Sequence, residues 1–468
     1  MKNRSFGFWA LPLALAVFGA STVKADDFAL DGLTAAGISA AGTVPGADKT
    51  PPAAAEAPQA PKDWTVMVFM SAKNNLSSAE LQRDAKDLLE MKQIGATGKV
   101  NIVVEHGAAG RSVRRLLIGG KTGGGPAGET VYAEYPGADM GDYKQVADFV
   151  QWARKTFPAR KYMLVLWGHG SGWIDRSNDE IFGAPVKKGR GIFNDEEQQH
   201  YIRTSELREM MRLAGHVDIL MMNACLMQMA EVLYEMKDYA GLIAGSEASL
   251  TVTGFDYEAL LDFMNKNPSF TDEQFGDFIT GWFRGFYSDS RVMDGQVFPL
   301  GVMPATLSVV RPSAFSELPA RLDAFTGAVM RNNESAAVIT AIDKVIRFDD
   351  PRGDAITGSP YADLYDFVRL VGGAAGSPET RQAAGQLMDF IKNRLVLNSI
   401  GLHSLHYTNK YDYSQVGGLS INATRRPAWA VDLKSEYTKY GDLALSKDSQ
   451  WDEFTAWTDG VRHGADRR

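Results

Sequence analysis

Five short apolar runs constrain the fold of this chain more than any other feature: residues 65–70 (TVMVFM), 100–105 (VNIVVE), 162–167 (YMLVLW), 218–222 (DILMM) and 242–245 (LIAG). A strand with one wet face alternates apolar with polar residues, whereas a strand covered on both faces is apolar throughout. Between the runs, residues 77–93, 142–156, 205–213 and 226–238 carry apolar side chains at helical spacing. Strands alternating with helices predict an α/β fold of three layers, with a mainly parallel central sheet between helices. Further on, residues 272–288, 314–330, 360–371 and 378–397 read as helices, 417–421 as one more strand and 448–460 as a last helix. That half is expected to form a helical and mixed C-terminal subdomain that packs on the core and completes the sheet.

The chain of 468 residues suits one large or two ordinary domains. Lys2 and Arg4 precede the run FWALPLALAVFGA, and Val23-Lys24-Ala25 comes after it. A charged head, an apolar middle and small residues at the −3 and −1 positions predict a secretory signal over residues 1–25. The run is too short to span a bilayer, which needs roughly 20 residues, so no stable membrane insertion is expected and the protein is placed as secreted or periplasmic. Residues 26–62, rich in Ala, Pro and Gly, cannot bury enough surface to offset their ordering entropy, and read as a linker or pro-segment. The folded part then divides into a core over 63–265 and a C-terminal part over 266–468. A net charge of -8 and the lack of a Lys/Arg stripe exclude nucleic acid as a partner.

In parallel sheets, ligands and reactive groups collect beyond the carboxyl ends of the strands. Two runs lead there into reactive side chains: 162–167 into Gly168-His169-Gly170-Ser171-Gly172-Trp173, and 218–222 into Asn223-Ala224-Cys225. Cys225 is the only cysteine, and exported proteins usually pair their thiols. The count alone allows a buried small hydrophobe or a reactive thiol. A helix starting just after Asn223-Ala224 would put Cys225 at its N-terminus, where the dipole favours a thiolate. An imidazole beside it would exchange a proton with it and with a leaving amine. The amides of Gly170 and Cys225 are candidate donors to a tetrahedral oxyanion. The remaining histidines, His106, His200, His216, His403, His406 and His463, lack this setting. His403 and His406 have a metal-like spacing but no accompanying ligand cluster, and are read as structural.

Taken together, DWTVMVFMSAKNNL, FPARKYMLVLWGHGSGW, DILMMNACLMQMAEVLYEM, LIAGSEAS, GGLSI and SQWDEFTAW resemble the clostripain family of clan CD cysteine peptidases, relatives of caspases, legumains and gingipains. The resemblance runs from about residue 63 to 460. It implies a caspase-like fold, a dyad of His169 and Cys225, and an endopeptidase that takes polypeptide substrates. It further implies a preference for Arg or Lys before the cut, activation by self-cleavage between the dyad residues, no required cofactor, and calcium dependence in some members. Asn223, Ser246 and Glu247 fall where substrate would bind. Asn223 departs from the family, which usually has Asp at that position. An amide provides hydrogen bonds but no charge, so basic specificity would need Glu247 or Asp256 instead; Asn223 could equally be a helix N-cap. Lys187, Lys188 and Arg190 read either as a solvated basic loop or as the self-cleavage site. Asp175, Asp179 and Asp195 are the acids a calcium ion would use, although their spacing is not that of a standard loop.

Two rival readings stand beside the peptidase. One is a catalytically silent peptidase-like protein that binds peptides, which Asn223 favours. The other is a serine acyl hydrolase, suggested by His169-Gly170-Ser171-Gly172; no Gly-x-Ser-x-Gly elbow closes a strand to support it.

Overall fold

In the parallel strands at the centre of the molecule, successive side chains enter two different cores. Along the first of them, Met67 and Phe69 are buried on one face, and Val66, Val68 and Met70 on the other. The computed structural model describes residues 60–174, 192–250, 254–288, 291–293, 296–298, 305–348, 359–403, 412–423 and 439–465. The signal segment over 1–25 and nearly all of the linker lie outside those residues.

Strands are numbered along the chain: β1 Lys62–Ala72, β2 Val100–Ala108, β3 Val113–Ile118, β4 Glu129–Tyr135, β5 Ala159–Trp167, β6 Ile192–Asp195, β7 His200–Ile202, β8 Val217–Asn223, β9 Ala240–Gly245, β10 Arg291–Met293, β11 Gln296–Phe298, β12 Thr306–Val310, β13 Tyr361–Asp363, β14 Val396–Gly401 and β15 Ser420–Asn422. Nine form the central sheet, in the order β14-β12-β9-β8-β5-β1-β2-β3-β4. Its middle five, β2-β1-β5-β8-β9, are mutually parallel. Antiparallel strands extend it on both sides, β3 and β4 beyond β2, and β12 and β14 beyond β9. The fold is α/β with a mainly parallel sheet between helical layers. The parallel strands are the five apolar runs of the sequence, each extended by one to three residues at one or both ends.

Helices Tyr143–Thr156, Leu207–Ala214 and Ala230–Met236 cover one face, and Arg83–Ile94, Tyr257–Lys266 and Asp272–Ser288 the other. Each apolar side chain taken fully from water on either face contributes roughly 1.5–3 kcal/mol. The helix Tyr143–Thr156 shows the local logic. Asp142 caps it by accepting from the Lys144 amide at 2.9 Å, apolar residues at 146, 149, 150 and 153 point to the core, and Phe157, which precedes Pro158, has left the helical region.

Several expected helices have other bounds: the one expected over 77–93 starts at Arg83, and the one over 360–371 opens with strand β13 and is helical only from Leu364. The helix predicted over 226–238 starts only at Ala230. Residues 226–228 form a non-helical turn instead, because their amides bond to a neighbouring loop: Leu226 N–H donates to Ala248 O at 3.1 Å and Gln228 N–H to Ser246 O at 3.0 Å. The helix predicted over 378–397 ends at Phe390; after one wide turn the chain becomes strand β14. The outer strands carry no unbroken apolar run: β4 and β14, at the sheet edges, are only partly covered, and β12, though buried throughout, places the hydroxyls of Thr306 and Ser308 in hydrogen bonds.

Candidate active site

Strands β5 and β8 are neighbours in parallel register, with Leu166 beside Met222 and Trp167 beside Asn223. His169 and Cys225 each stand two positions past the last paired residue. Adjacent strands lie about 4.8 Å apart, so the register delivers both residues to one point on the carboxyl edge of the sheet. The two turns are in direct contact. Gly168 N–H donates to Asn223 O at 3.2 Å, and a side chain on Gly170 would run into the Cys225 carbonyl oxygen and the Met227 side chain. Glycine at 170 is therefore what permits the histidine turn to lie on the cysteine turn.

The imidazole Nε2 of His169 lies 2.7 Å from Asn75 Oδ1. Asn75 lies just past β1, the strand on the other side of β5, so a third parallel strand serves the same edge. An amide oxygen only accepts, so this contact keeps a proton on Nε2 and leaves Nδ1 as the basic nitrogen of the neutral ring. The backbone of His169 is held as well, its carbonyl accepting from the Phe193 amide at 3.0 Å.

Cys225 is partly buried in a turn, not at a helix N-terminus as expected, because the helix begins five residues later. Leu226 comes next at φ 63, a left-handed conformation uncommon for a side chain of that size and held here by the flanking loop. In place of a helix dipole, both backbone groups of Leu250 meet the sulfur: its N–H donates to Cys225 Sγ at 3.3 Å, and the thiol donates to its carbonyl oxygen at 3.8 Å.

Asn223 is a buried strand residue, not a helix N-cap; its Nδ2 donates to the Tyr257 hydroxyl at 3.0 Å. Behind that hydroxyl lie Asp87, which accepts from Trp167 Nε1 at 2.6 Å, and Glu90, which accepts from the Tyr257 amide at 3.0 Å. Burial, together with Glu90 nearby, pushes Asp87 well above the usual carboxylate range, and burial raises Glu90 to about 7. Ser246 is fully buried and bonds to Thr306 and to Ala248 O. Glu247 is fully buried with its carboxyl group against that of Asp363; burial, and then the Asp363 charge, hold it well above its ordinary range. Asp363 accepts amides from Asp366 and Gly417, both at 2.6 Å, so Glu247 is the partner that keeps the proton. A neutral Glu247 has no charge to offer a basic side chain. Asp256 caps the helix Tyr257–Lys266, accepting from the Ala259 amide at 2.9 Å.

Lys187, Lys188, Arg190, Asp175 and Asp179 lie outside the described residues. Asp195 is a poor calcium ligand. Its Oδ2 accepts from the Met140 amide at 3.0 Å and faces the buried Lys73 ammonium at 3.7 Å, while its Oδ1 accepts from the Glu197 and Gln198 amides at 2.9 and 3.0 Å. Among the described residues no group of three acids, histidines or cysteines could hold a metal ion. Asn75, Leu250, Tyr257 and Thr306 were not singled out by sequence reasoning. Only Asn75 had a signal, as the residue just beyond a third central run.

A mainly parallel α/β sheet whose adjacent strands deliver a histidine and the chain's one cysteine to a shared edge has the layout of a caspase-like cysteine peptidase. The chain belongs to the clostripain family, whose sequence model matches residues 68–457; cysteine endopeptidases make up that family. Clostripain of Hathewaya histolytica is 22% identical over 358 residues, covering 67% of this chain and 66% of its own length, so the match spans just under two thirds of that relative. A secreted C11 cysteine protease from Bacteroides thetaiotaomicron, solved with an irreversible peptide inhibitor, superposes with a TM-score of 0.60 at 21% identity, over 83% of this chain and 99% of that one. An inactive zymogen C11 protease from Parabacteroides distasonis does so with a TM-score of 0.59 at 19% identity, over 83% and 98%. Both share the fold.

Proposed function

We propose that this chain is an exported endopeptidase that cuts polypeptides with Cys225 as nucleophile and His169 as acid and base. The observation that carries the reading is the register of β5 on β8, which sets both residues two positions past the same paired step. His169 takes the proton from Sγ through Nδ1, while Asn75 holds the other ring proton. The thiolate attacks the substrate carbonyl carbon, and the amides of Gly170 and Cys225 hold the oxyanion. Collapse expels the amine, which receives its proton from His169, and leaves a thioester on Cys225. A water molecule that gives a proton to His169 then attacks the thioester, releasing the acid product and restoring the thiol.

Asn223 is the pocket residue in this reading. Its amide is anchored on Tyr257 and carries no charge, so a neutral residue before the cut would be held by hydrogen bonding alone. A basic residue would be recognised only if one of the acids behind Asn223 ionised. Self-processing after Lys187, Lys188 or Arg190 would cut just ahead of β6, whose Phe193 amide bonds to the histidine turn. Export fits the segment 1–25 and the secreted Bacteroides relative; no helix among the described residues is long and apolar enough to cross a membrane. No step needs a metal.

The test is hydrolysis of a peptide library varied at the residue before the cut, with intact-mass analysis for internal nicking. Wild-type protein is expected to cleave and Cys225→Ala to lose activity entirely. Full activity in Cys225→Ala would remove the dyad, and an inert wild type that still binds peptides would establish the silent binding protein.

A further inference from the structure

The turn that carries Cys225 does not support itself. Its amides donate to the loop after β9, Leu226 to Ala248 O and Gln228 to Ser246 O, as a short antiparallel ladder. At the end of that ladder the Leu250 amide donates to Cys225 Sγ at 3.3 Å, nearer than the Leu250 carbonyl oxygen, to which the thiol donates at 3.8 Å. The position of the sulfur's hydrogen-bond donor is thus the position of the loop over residues 246–250.

One buried hydroxyl fixes the loop. Thr306, the first residue of β12, is fully buried, and its Oγ1 accepts from the Glu247 amide at 3.0 Å and the Ala248 amide at 3.1 Å. The same oxygen lies 3.0 Å from Ser246 Oγ, which in turn lies 2.9 Å from Ala248 O. A hydroxyl has two acceptor sites and one proton. The Ala248 amide is shared between Thr306 Oγ1 and Ser246 Oγ, the latter at 3.2 Å, whereas the Glu247 amide has Thr306 Oγ1 as its acceptor, so the two hydroxyls and two amides form one closed cluster under the loop. Ala248 is the residue whose carbonyl accepts from Leu226, next to Cys225, so Thr306 and the cysteine turn grip the same residue.

We propose that Thr306 is a positioning residue for the nucleophile: its buried hydroxyl sets the loop over residues 246–250 so that the Leu250 amide donates to the Cys225 sulfur and favours its thiolate. This rests on the reading of Cys225 as the nucleophile. Thr306 touches neither substrate nor the reacting atoms, and acts through two backbone amides. Its methyl group has no part in the proposal, so serine serves in its place and valine, the same shape without the hydroxyl, does not.

The experiment is the pH dependence of alkylation of full-length protein by iodoacetamide, read by intact mass. With one cysteine in the chain the readout has a single source. Loss of one hydrogen bond to a charged acceptor is expected to raise the pH midpoint by about one to two units in Thr306→Val, while Thr306→Ser keeps the wild-type midpoint. A folded Thr306→Val with the wild-type midpoint overturns the proposal, and so does a Thr306→Ser shifted as far as the valine variant. A wild-type midpoint at the ordinary thiol value of about 8.5 instead counts against Cys225 as nucleophile, which separates the two failures. Hydrogen exchange at the Leu250 amide of the wild type tests the same bond should the valine variant fail to fold. Protection that rises as pH passes the thiol midpoint is expected, and unchanged protection overturns the proposal.

Discussion

Replacing Gly170 by alanine tests the geometry of the site without removing any reactive group. A Cβ built on Gly170 falls 2.9 Å from Met227 Cγ and 3.0 Å from its Sδ, and nearer still to the Cys225 carbonyl oxygen. The methionine can turn aside, but a backbone carbonyl cannot. Relief needs the histidine and cysteine turns to part by about 1 Å, the shortfall from ordinary carbon–oxygen contact. Overpacking of this kind costs about 1–3 kcal/mol of stability, which lowers the melting temperature by a few degrees in a chain of this size. The effect on catalysis is larger in proportion, because a displacement of about 1 Å between reacting groups costs on the order of a hundredfold in rate. The assay is kcat/KM on a peptide substrate beside a thermal melt, with Gly98→Ala as a control, since a Cβ there meets nothing within 4 Å. A Gly170→Ala variant with wild-type kcat/KM and an unchanged melt would refute the close contact of the two turns, and with it the reasoning that joins His169 to Cys225.

Asn75→Ala removes the acceptor on His169 Nε2 and is expected to lower kcat about tenfold to a hundredfold with KM unchanged, since a hydrogen bond to a group that becomes charged is worth about 1.5–3 kcal/mol; a raised KM with unchanged kcat would assign Asn75 to substrate binding. Glu247→Gln tests the buried carboxyl pair. Glu247 is raised well above its ordinary range and Asp363 to about 6, so the folded protein binds more protons than the unfolded chain above the ordinary carboxylate range, and stability falls as pH rises through the raised values. Thermal melts of the wild type should therefore drop between about pH 5 and pH 8 by more than those of Glu247→Gln, whose amide stays neutral and still donates; equal drops would show that the pair does not share a proton.

The carboxyl edge of the sheet was legible in the sequence because a strand buried on both faces must be apolar at every position. Runs such as 162–167 and 218–222 therefore announce both their own strands and the place where each strand stops. The reactive residue just past each stop, His169 in one case and Cys225 in the other, comes with the pattern. The helix after Cys225 was misread for the converse reason: residues 226–229 satisfy helical spacing, yet the Leu226 and Gln228 amides find acceptors on a loop about 20 residues later, and local propensity yields to that pairing.

The chain's own order of residues determined the layered α/β class, the parallel centre and the placement of His169 and Cys225 just past two strand ends, since each depends on local patterning and on the few topologies open to parallel strands. Tertiary structure alone decided which groups stand around them. Asn75 against the imidazole, the Leu250 amide on the sulfur, Thr306 beneath the loop and the Glu247–Asp363 pair join residues that are 25 to 116 positions apart. Hydrogen bonds between such positions depend on register and on the approach of separate loops, and no periodicity in the sequence encodes a contact that distant.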